Sequence, residues 1–214
     1  MANKRQDPLT GLMNREALDL LLKQTVRNED PVALALLDVD HFMEFNDLIG
    51  HDTGDHVLKT VADLLREHAG EEQAFRVSGD EFAVTIVGGS LEQTFLKMEK
   101  LRTAIQEEQQ RFALPAGVEM EVTVTIGVAQ YPRDAKDDQS LMRAANAAMM
   151  SAKEGGRNQV SLPPNEEMIM KSCYYPATMV RRLKALADKT KKKESMLLRE
   201  ALSDLIRKHD RLGE

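Results

Sequence analysis

The sequence predicts an α/β fold, a mixed sheet flanked by helices, with a small, mostly helical domain after it. Three features carry that reading. "VALALLDVD" (32–40) is a continuous apolar run of strand length that ends in alternating carboxylates, the pattern of a strand buried on both faces. "AFRVSGDEFAV" (74–84) sets a Ser-Gly turn between two strand-like runs and reads as an antiparallel hairpin. Helix-spaced segments alternate with these strands, so helices pack over the sheet faces.

In chain order, "DPLTGLMNREALDLLLKQTV" runs from a Pro/Gly-rich turn into apolar residues at helical spacing, with Asn14 as N-cap. After the 32–40 strand, Val57, Val61, Leu64 and Leu65 share one face of a helix near Gly54 to His68. The hairpin follows, then a long helix near Leu91 to Phe112 and a β-rich run "EVTVTIGVAQY" (121–131). A helix over Ser140 to Glu154 and a strand "RNQVSL" (157–162) complete the first domain. "PPNEE" (163–167) can neither continue a strand nor sit mid-helix, which divides the chain into domains 1–163 and 164–214. Beyond it lie a strand-length run "MIMKSCYY", Pro176, a helix over Ala177 to Lys189, the turn "TKKK" and a helix near Glu194 to His209.

At 214 residues and 42% hydrophobic content the chain can bury a core of enzymatic size. The first residues, "MANKRQ", are polar and no apolar run approaches the roughly 18 residues that cross a bilayer, so a cytoplasmic protein without a membrane contact is expected. The single cysteine, Cys173, can build neither an intramolecular disulfide nor a thiolate cluster and reads as a small hydrophobe. Net charge is −6, unevenly shared. Residues 165–214 carry 12 Lys and Arg against 8 Asp and Glu, a surplus of four positive charges, which leaves residues 1–164 at −10. The positive tail suits either a polyanion or a solvated helical surface.

Asp80 and Glu81 stand side by side at the hairpin tip, where they repel each other unless a cation sits nearby. Gly79 lets the backbone approach a ligand closely, and Asp38 at the end of the apolar strand supplies a third acid. Carboxylates at one strand end and on an adjacent hairpin are the oxygen ligands Mg²⁺ takes, with water and phosphate oxygens filling the remaining positions. A solvated acidic turn is the plainer alternative.

Five blocks decide between them. "DPLTGLMNR" (7–15), "DVDHFMEFNDLIGHDTGDHVL" (38–58), "RVSGDEF" (76–82), "VTVTIGVA" (122–129) and "AKEGGRN" (152–158) resemble, in order and spacing, the GGDEF-domain family of diguanylate cyclases. The resemblance implies a polymerase-palm-like mixed sheet and condensation of two GTP into cyclic di-GMP with pyrophosphate released. It implies metal ligation by Asp38, Asp80 and the Val39 carbonyl, with Glu81 as a further ligand or as the group that helps deprotonate the 3′-hydroxyl; the cofactor would be Mg²⁺, or alternatively Mn²⁺. It implies catalytic roles for Asp38, Asp80 and Glu81, a guanine site at Asn46 and Asp55, substrate contacts at Phe42 and Gly79, and phosphate contacts from Lys153 and Arg157. Asn offers a donor and an acceptor to the guanine edge, and Asp accepts from its N–H groups.

The sequence departs from the family in four places. Ser78 replaces a turn glycine, and Met43 stands where the family carries a phosphate-binding Lys. Asn146 and Met150 replace an Asp and a Tyr, and Ala69-x-x-Glu72 replaces the Arg-x-x-Asp of product inhibition, which argues against feedback through that site. Loss of a cation beside a triphosphate keeps a second reading open, a degenerate domain that binds GTP or cyclic di-GMP and regulates transcription without turnover.

"MIMKSCYYPATMVRRLKALADKTKKKESMLLREALSDLIRK" (168–208) resembles the ribbon-helix-helix family of DNA-binding repressors. That resemblance implies a homodimer in which two strands pair into a ribbon, with Met170, Ser172 and Tyr174 facing DNA and Tyr175 and Cys173 facing the helices. Lys192 and Lys193, with Lys191, stand just ahead of the second helix and suit DNA phosphates. None of the outward strand residues is Arg or Lys, so a dimerisation unit that never touches DNA is the alternative.

Overall fold

The computed structural model describes residues 5–163 and 175–192, together with residues 194, 195, 197, 198, 201, 202, 205 and 208. It divides into two compact units, Met1–Glu166 and Glu167–Glu214.

In the first unit the elements run β1 (Met13–Asn14), α1 (Arg15–Arg27), β2 (Val32–Val39), α2 (Phe42–Ile49), α3 (His51–Ala69), β3 (Ala74–Ser78), β4 (Glu81–Val87), α4 (Leu91–Glu107), β5 (Val124–Tyr131), α5 (Asp138–Gly155) and β6 (Val160–Ser161). The described strands form one sheet in the order β1-β3-β4-β2-β5-β6. Strand β2 is antiparallel to β4 and β5, while β1 and β6 add parallel edges, so the sheet is mixed. Seven of its eight residues are buried, as the unbroken apolar run requires of a central strand covered on both sides.

Alternation along β2 sorts the two faces. Ala35, Leu37 and Val39 join Val57, Val61 and Leu65 of α3 and Met98 and Leu101 of α4 in one core. Val32, Leu34 and Leu36 point the other way and pack with Leu18 and Leu22 of α1 and with Leu141, Ala145 and Met149 of α5. Asp38 shares the parity of Leu34 and Leu36, so its carboxylate emerges on the α1/α5 face.

Local signals start the helices where the backbone needs them. Asn14 caps α1 by accepting from the Ala17 amide at 3.2 Å, and Ser90 caps α4 through the Gln93 amide at 3.1 Å. Asp137 and Ser140 form a capping box, so α5 begins at Asp138, ahead of the expected Ser140. A Cβ on Gly127 of β5 would overlap the Ala145 and Met149 backbone; its absence lets α5 lie directly on the sheet.

Several elements differ from the sequence reading. Helix α2 goes unread because its eight residues are too few to show a period, and it buries only Phe45. The expected helix to Phe112 stops at Glu107 and continues as a short 3₁₀ turn, Gln109–Phe112. The last strand shrinks to Val160–Ser161, because Arg157 and Asn158 take left-handed backbone at φ 64° and 44°.

In the second unit, α6 (Ala177–Thr190) follows Pro176 and ends at left-handed Lys191, where the Lys192 amide donates to the Ala187 carbonyl at 3.2 Å. The described residues between 194 and 208 are helical. Met170, Ser172, Cys173, Tyr174 and Lys193 lie outside the described residues. Among the described residues no helix is long and apolar enough to cross a membrane.

Candidate active site

The end of β2 and the β3–β4 hairpin meet at the acids. Asp38 sits directly across from Glu81 in the β2–β4 register, and the Val39 amide donates to the Asp80 carbonyl at 3.2 Å. Three carboxylates from two separated segments are thus gathered at one sheet end. The Ser78 hydroxyl donates to Glu81 Oε2 at 2.8 Å, and Lys153, from the last turn of α5, places Nζ 2.7 Å from Asp38 Oδ2. Burial pushes the Asp38 carboxyl above its ordinary value; the Lys153 hydrogen bond and charge pull it down, and the charges of Asp80 and Glu81 push it up again.

Among the described residues no group of three His, Cys, Asp or Glu side chains is placed to hold a metal ion by itself. The site nevertheless fits Mg²⁺, whose habit is one or two protein carboxylates with water and phosphate oxygens around them. Asp38, Asp80, Glu81 and the Val39 carbonyl are all hard oxygen donors, and Asp38 already holds one cation, the Lys153 ammonium.

A clasp fixes the hairpin tip. Arg76 donates through Nε and Nη2 to the Gly79 carbonyl at 3.0 and 2.6 Å and through Nη1 to Asp7 Oδ1 at 3.0 Å. Asp7 Oδ1 also accepts from the Thr10 amide and hydroxyl, at 2.8 and 2.7 Å. Burial raises the Asp7 carboxyl, but these hydrogen bonds and the Arg76 charge outweigh it and hold the group below the ordinary range. Gly79 carries the positive φ of the turn, 38°, whereas Ser78 lies in β3, so serine replaces the family's glycine there without backbone strain.

The residues expected to read guanine lie on the α2–α3 corner. Phe42 opens α2, Asn46 lies one turn along it, and Asp55 is exposed on α3 beside Gly54. Asn46 Oδ1 is buried without a hydrogen-bond partner and packs against α3 where a Cβ on Gly54 would lie. Gly54, which the sequence reading set at the start of a helix and gave no role, lies inside α3. A Cβ there would overlap Asn46 Oδ1 and press on Phe42. Alanine would favour the helix by about 1 kcal/mol, but overpacking costs about 1–3 kcal/mol. Gly54→Ala is therefore expected to destabilise the fold slightly and to weaken guanine-nucleotide binding about tenfold or more, as read by denaturant melts and titration calorimetry.

Of the residues expected to contact phosphates, Lys153 lies in the last turn of α5 and Arg157 stands exposed on the left-handed loop just after it. Met43 is 80% exposed on α2 and offers no charge. The sequence reading also missed Asp40, 2% exposed beside this loop, despite its place in the "DVD" alternation.

Comparison with known proteins agrees with this architecture. The family model described as "Diguanylate cyclase, GGDEF domain" matches residues 4–159. The chain is 31% identical over 161 residues to the diguanylate cyclase DosC of Escherichia coli, covering 73% of this chain and 34% of that protein. It is 30% identical to the probable diguanylate cyclase DgcT of the same organism, over 72% of this chain and 35% of that protein. The chain thus spans about a third of the length of these relatives. Among solved structures, the GGDEF domain of DgcB from Caulobacter crescentus in complex with c-di-GMP superposes with a TM-score of 0.67 at 30% identity, covering 75% of this chain and 96% of that one. The active GGEEF domain of a diguanylate cyclase from Vibrio cholerae gives 0.64 at 25% identity, over 72% of this chain and 99% of that one. A mixed sheet that gathers Asp38, Asp80 and Glu81 at one end, and matches of this extent, place the chain in the GGDEF-domain family of diguanylate cyclases.

Proposed function

We propose that the first unit condenses two GTP molecules into cyclic di-GMP and releases pyrophosphate. The observation that carries this is the pairing of Asp38 with Glu81 across β2 and β4, with Asp80 held to Val39 and Lys153 seated on Asp38. Bound Mg²⁺ would supply charge stabilisation to the attacking and leaving oxygens. The chain's own groups do the rest. Asn46 and Asp55 orient the guanine, Lys153 and Arg157 take the β- and γ-phosphates, and Glu81 either joins the metal ligands or helps remove the 3′-hydroxyl proton.

One nucleotide must meet another held by a second domain, so catalysis requires two copies face to face, and tethering them raises the effective concentration. We assign that pairing to the second unit, as a ribbon-helix-helix homodimer. Met179, Val180 and Leu186 of α6, and Leu198, Leu202 and Leu205 beyond it, are all between 39% and 57% exposed, an apolar surface that suits a second copy of the same unit. DNA is the further ligand that the ribbon-helix-helix resemblance implies for this dimer, with Lys192 among the residues suited to its phosphates.

Incubated with GTP and Mg²⁺ at high concentration, the protein is expected to yield a dinucleotide and pyrophosphate, with Asp80→Ala silent. No product from the wild type would remove the assignment. The exposed Met43 favours a second reading, in which the first unit binds guanine nucleotide without turnover and alters DNA affinity. Nucleotide-dependent, salt-sensitive DNA retardation in the absence of product would select it.

A further inference from the structure

Asp40 is 2% exposed and accepts from three donors. Oδ2 takes the Thr123 hydroxyl at 2.7 Å and the Asn158 amide at 3.1 Å, and Oδ1 takes the Thr125 hydroxyl at 2.6 Å. Its own amide donates to the Thr123 carbonyl at 2.9 Å. No salt bridge compensates it among the described residues, and a carboxylate buried without a cation is expensive to keep. An apolar side chain would leave those three donors unsatisfied, so hydrogen bonding rather than packing accounts for an acid there.

What the carboxylate does hold is the loop after α5. Arg157 and Asn158 are consecutive non-glycine residues in left-handed backbone, at φ 64° and 44°, a conformation that asparagine tolerates but that arginine keeps only where the surroundings impose it. The Asn158 amide is pinned twice, by Asp40 Oδ2 and by Thr125 Oγ1, each at 3.1 Å. Its side-chain oxygen is held by Arg102 Nη1 at 2.9 Å, and the Arg157 amide closes onto the Ala152 carbonyl at 3.1 Å. The loop therefore hangs from the end of β2, two residues past Asp38.

We propose that Asp40 is a positioning residue for polyphosphate recognition. Acting through Asn158, it holds the loop in the conformation that presents Arg157, and with it the end of α5 bearing Lys153, toward the β- and γ-phosphates. It does not touch the nucleotide. The inference rests on the reading of Arg157 as a phosphate ligand. It predicts a selective defect, because guanine is read elsewhere, on α2 and α3.

The test is titration calorimetry of the full chain with a non-hydrolysable β,γ-imido analogue of GTP and with GMP, which lacks the β- and γ-phosphates. In Asp40→Ala, affinity for the analogue is expected to fall about tenfold or more while affinity for GMP stays within a factor of about two. The Asn158 amide should also lose hydrogen-exchange protection. Thr125→Val, which keeps side-chain volume and deletes the shared hydroxyl, should show the same selectivity more weakly and serves if Asp40→Ala does not fold. Equal losses for both nucleotides, or an unaltered preference for the analogue in both variants, would overturn the positioning role alone. A wild-type protein that binds the two nucleotides equally would instead remove the phosphate reading of Arg157, and this role with it.

Discussion

Replacing Asp38 by Asn is expected to lower dinucleotide formation by about a thousandfold while making the folded protein more stable at neutral pH. The catalytic loss follows from deleting a charge where the transferring phosphoryl group needs its counter-ions held. The stability gain follows from the direction of the Asp38 shift. Burial, with the neighbouring charges of Asp80 and Glu81, outweighs Lys153 and leaves the folded carboxyl above its ordinary value. A carboxyl raised in the folded state binds its proton more tightly there than in the unfolded chain. Its favourable contribution is complete below the unfolded pKa and is lost as pH rises through the folded pKa. At pH 7 the wild type therefore bears the full cost of a buried, charged Asp38, which the amide does not. In metal-free buffer Asp38→Asn should be the more stable protein at pH 7, and the advantage should fade as the buffer is acidified through the folded pKa. Thermal melts across pH, with EDTA present, read this directly. A variant less stable than wild type at pH 7 would show that the Lys153 contact, rather than burial, dominates the site.

Lys153→Met is expected to change two affinities in opposite directions. In the free protein the ammonium lies 2.7 Å from Asp38 Oδ2, and the two side chains are only 22% and 13% exposed, so Lys153 is the counter-ion of the carboxylate that a metal would use. A divalent ion arriving alone must displace it. A triphosphate arriving with the ion gives the displaced ammonium a new anion. Methionine keeps the aliphatic stem and removes the competitor. Mn²⁺ binding without nucleotide, followed by electron paramagnetic resonance at pH 8, should tighten by about tenfold, the worth of one charge-assisted hydrogen bond. Binding of a GTP analogue should weaken by at least as much, and the mutual enhancement of metal and triphosphate binding should disappear. The alkaline pH matters, because loss of Lys153 removes the groups that lower Asp38 and leaves burial unopposed. If metal affinity without nucleotide also falls, Lys153 supports the metal site instead of competing for it.

These expectations show where the sequence was sufficient. β2 could be read without coordinates because seven of its eight residues are buried, and burial on both faces writes an unbroken apolar run. Asn14 was legible as a cap because capping needs only a side chain three residues from an amide. The acidic hairpin was legible because adjacent carboxylates at a turn are costly wherever they occur. What Asp40 and Gly54 contact was not legible, for a shared reason. Each acts on a residue distant in the chain or on another helix: Asp40 on Asn158, 118 positions away, and Gly54 on Asn46 across the α2–α3 corner. Helix α2 and the two-residue edge strand β1 were missed because elements so short carry too few residues for a period to emerge.

By itself the sequence determined the alternation of strands and helices, the acidic turn and the family, since each is written in local pattern or in the order of motifs. Tertiary structure alone decided that Asp38 faces Glu81, that Lys153 neutralises Asp38 in the free protein, and that Ser78 escapes backbone strain while Arg157 bears it. The physical reason is that a residue's type and spacing set what it can bond, whereas strand register and the seating of α5 on Gly127 set what lies within bonding distance.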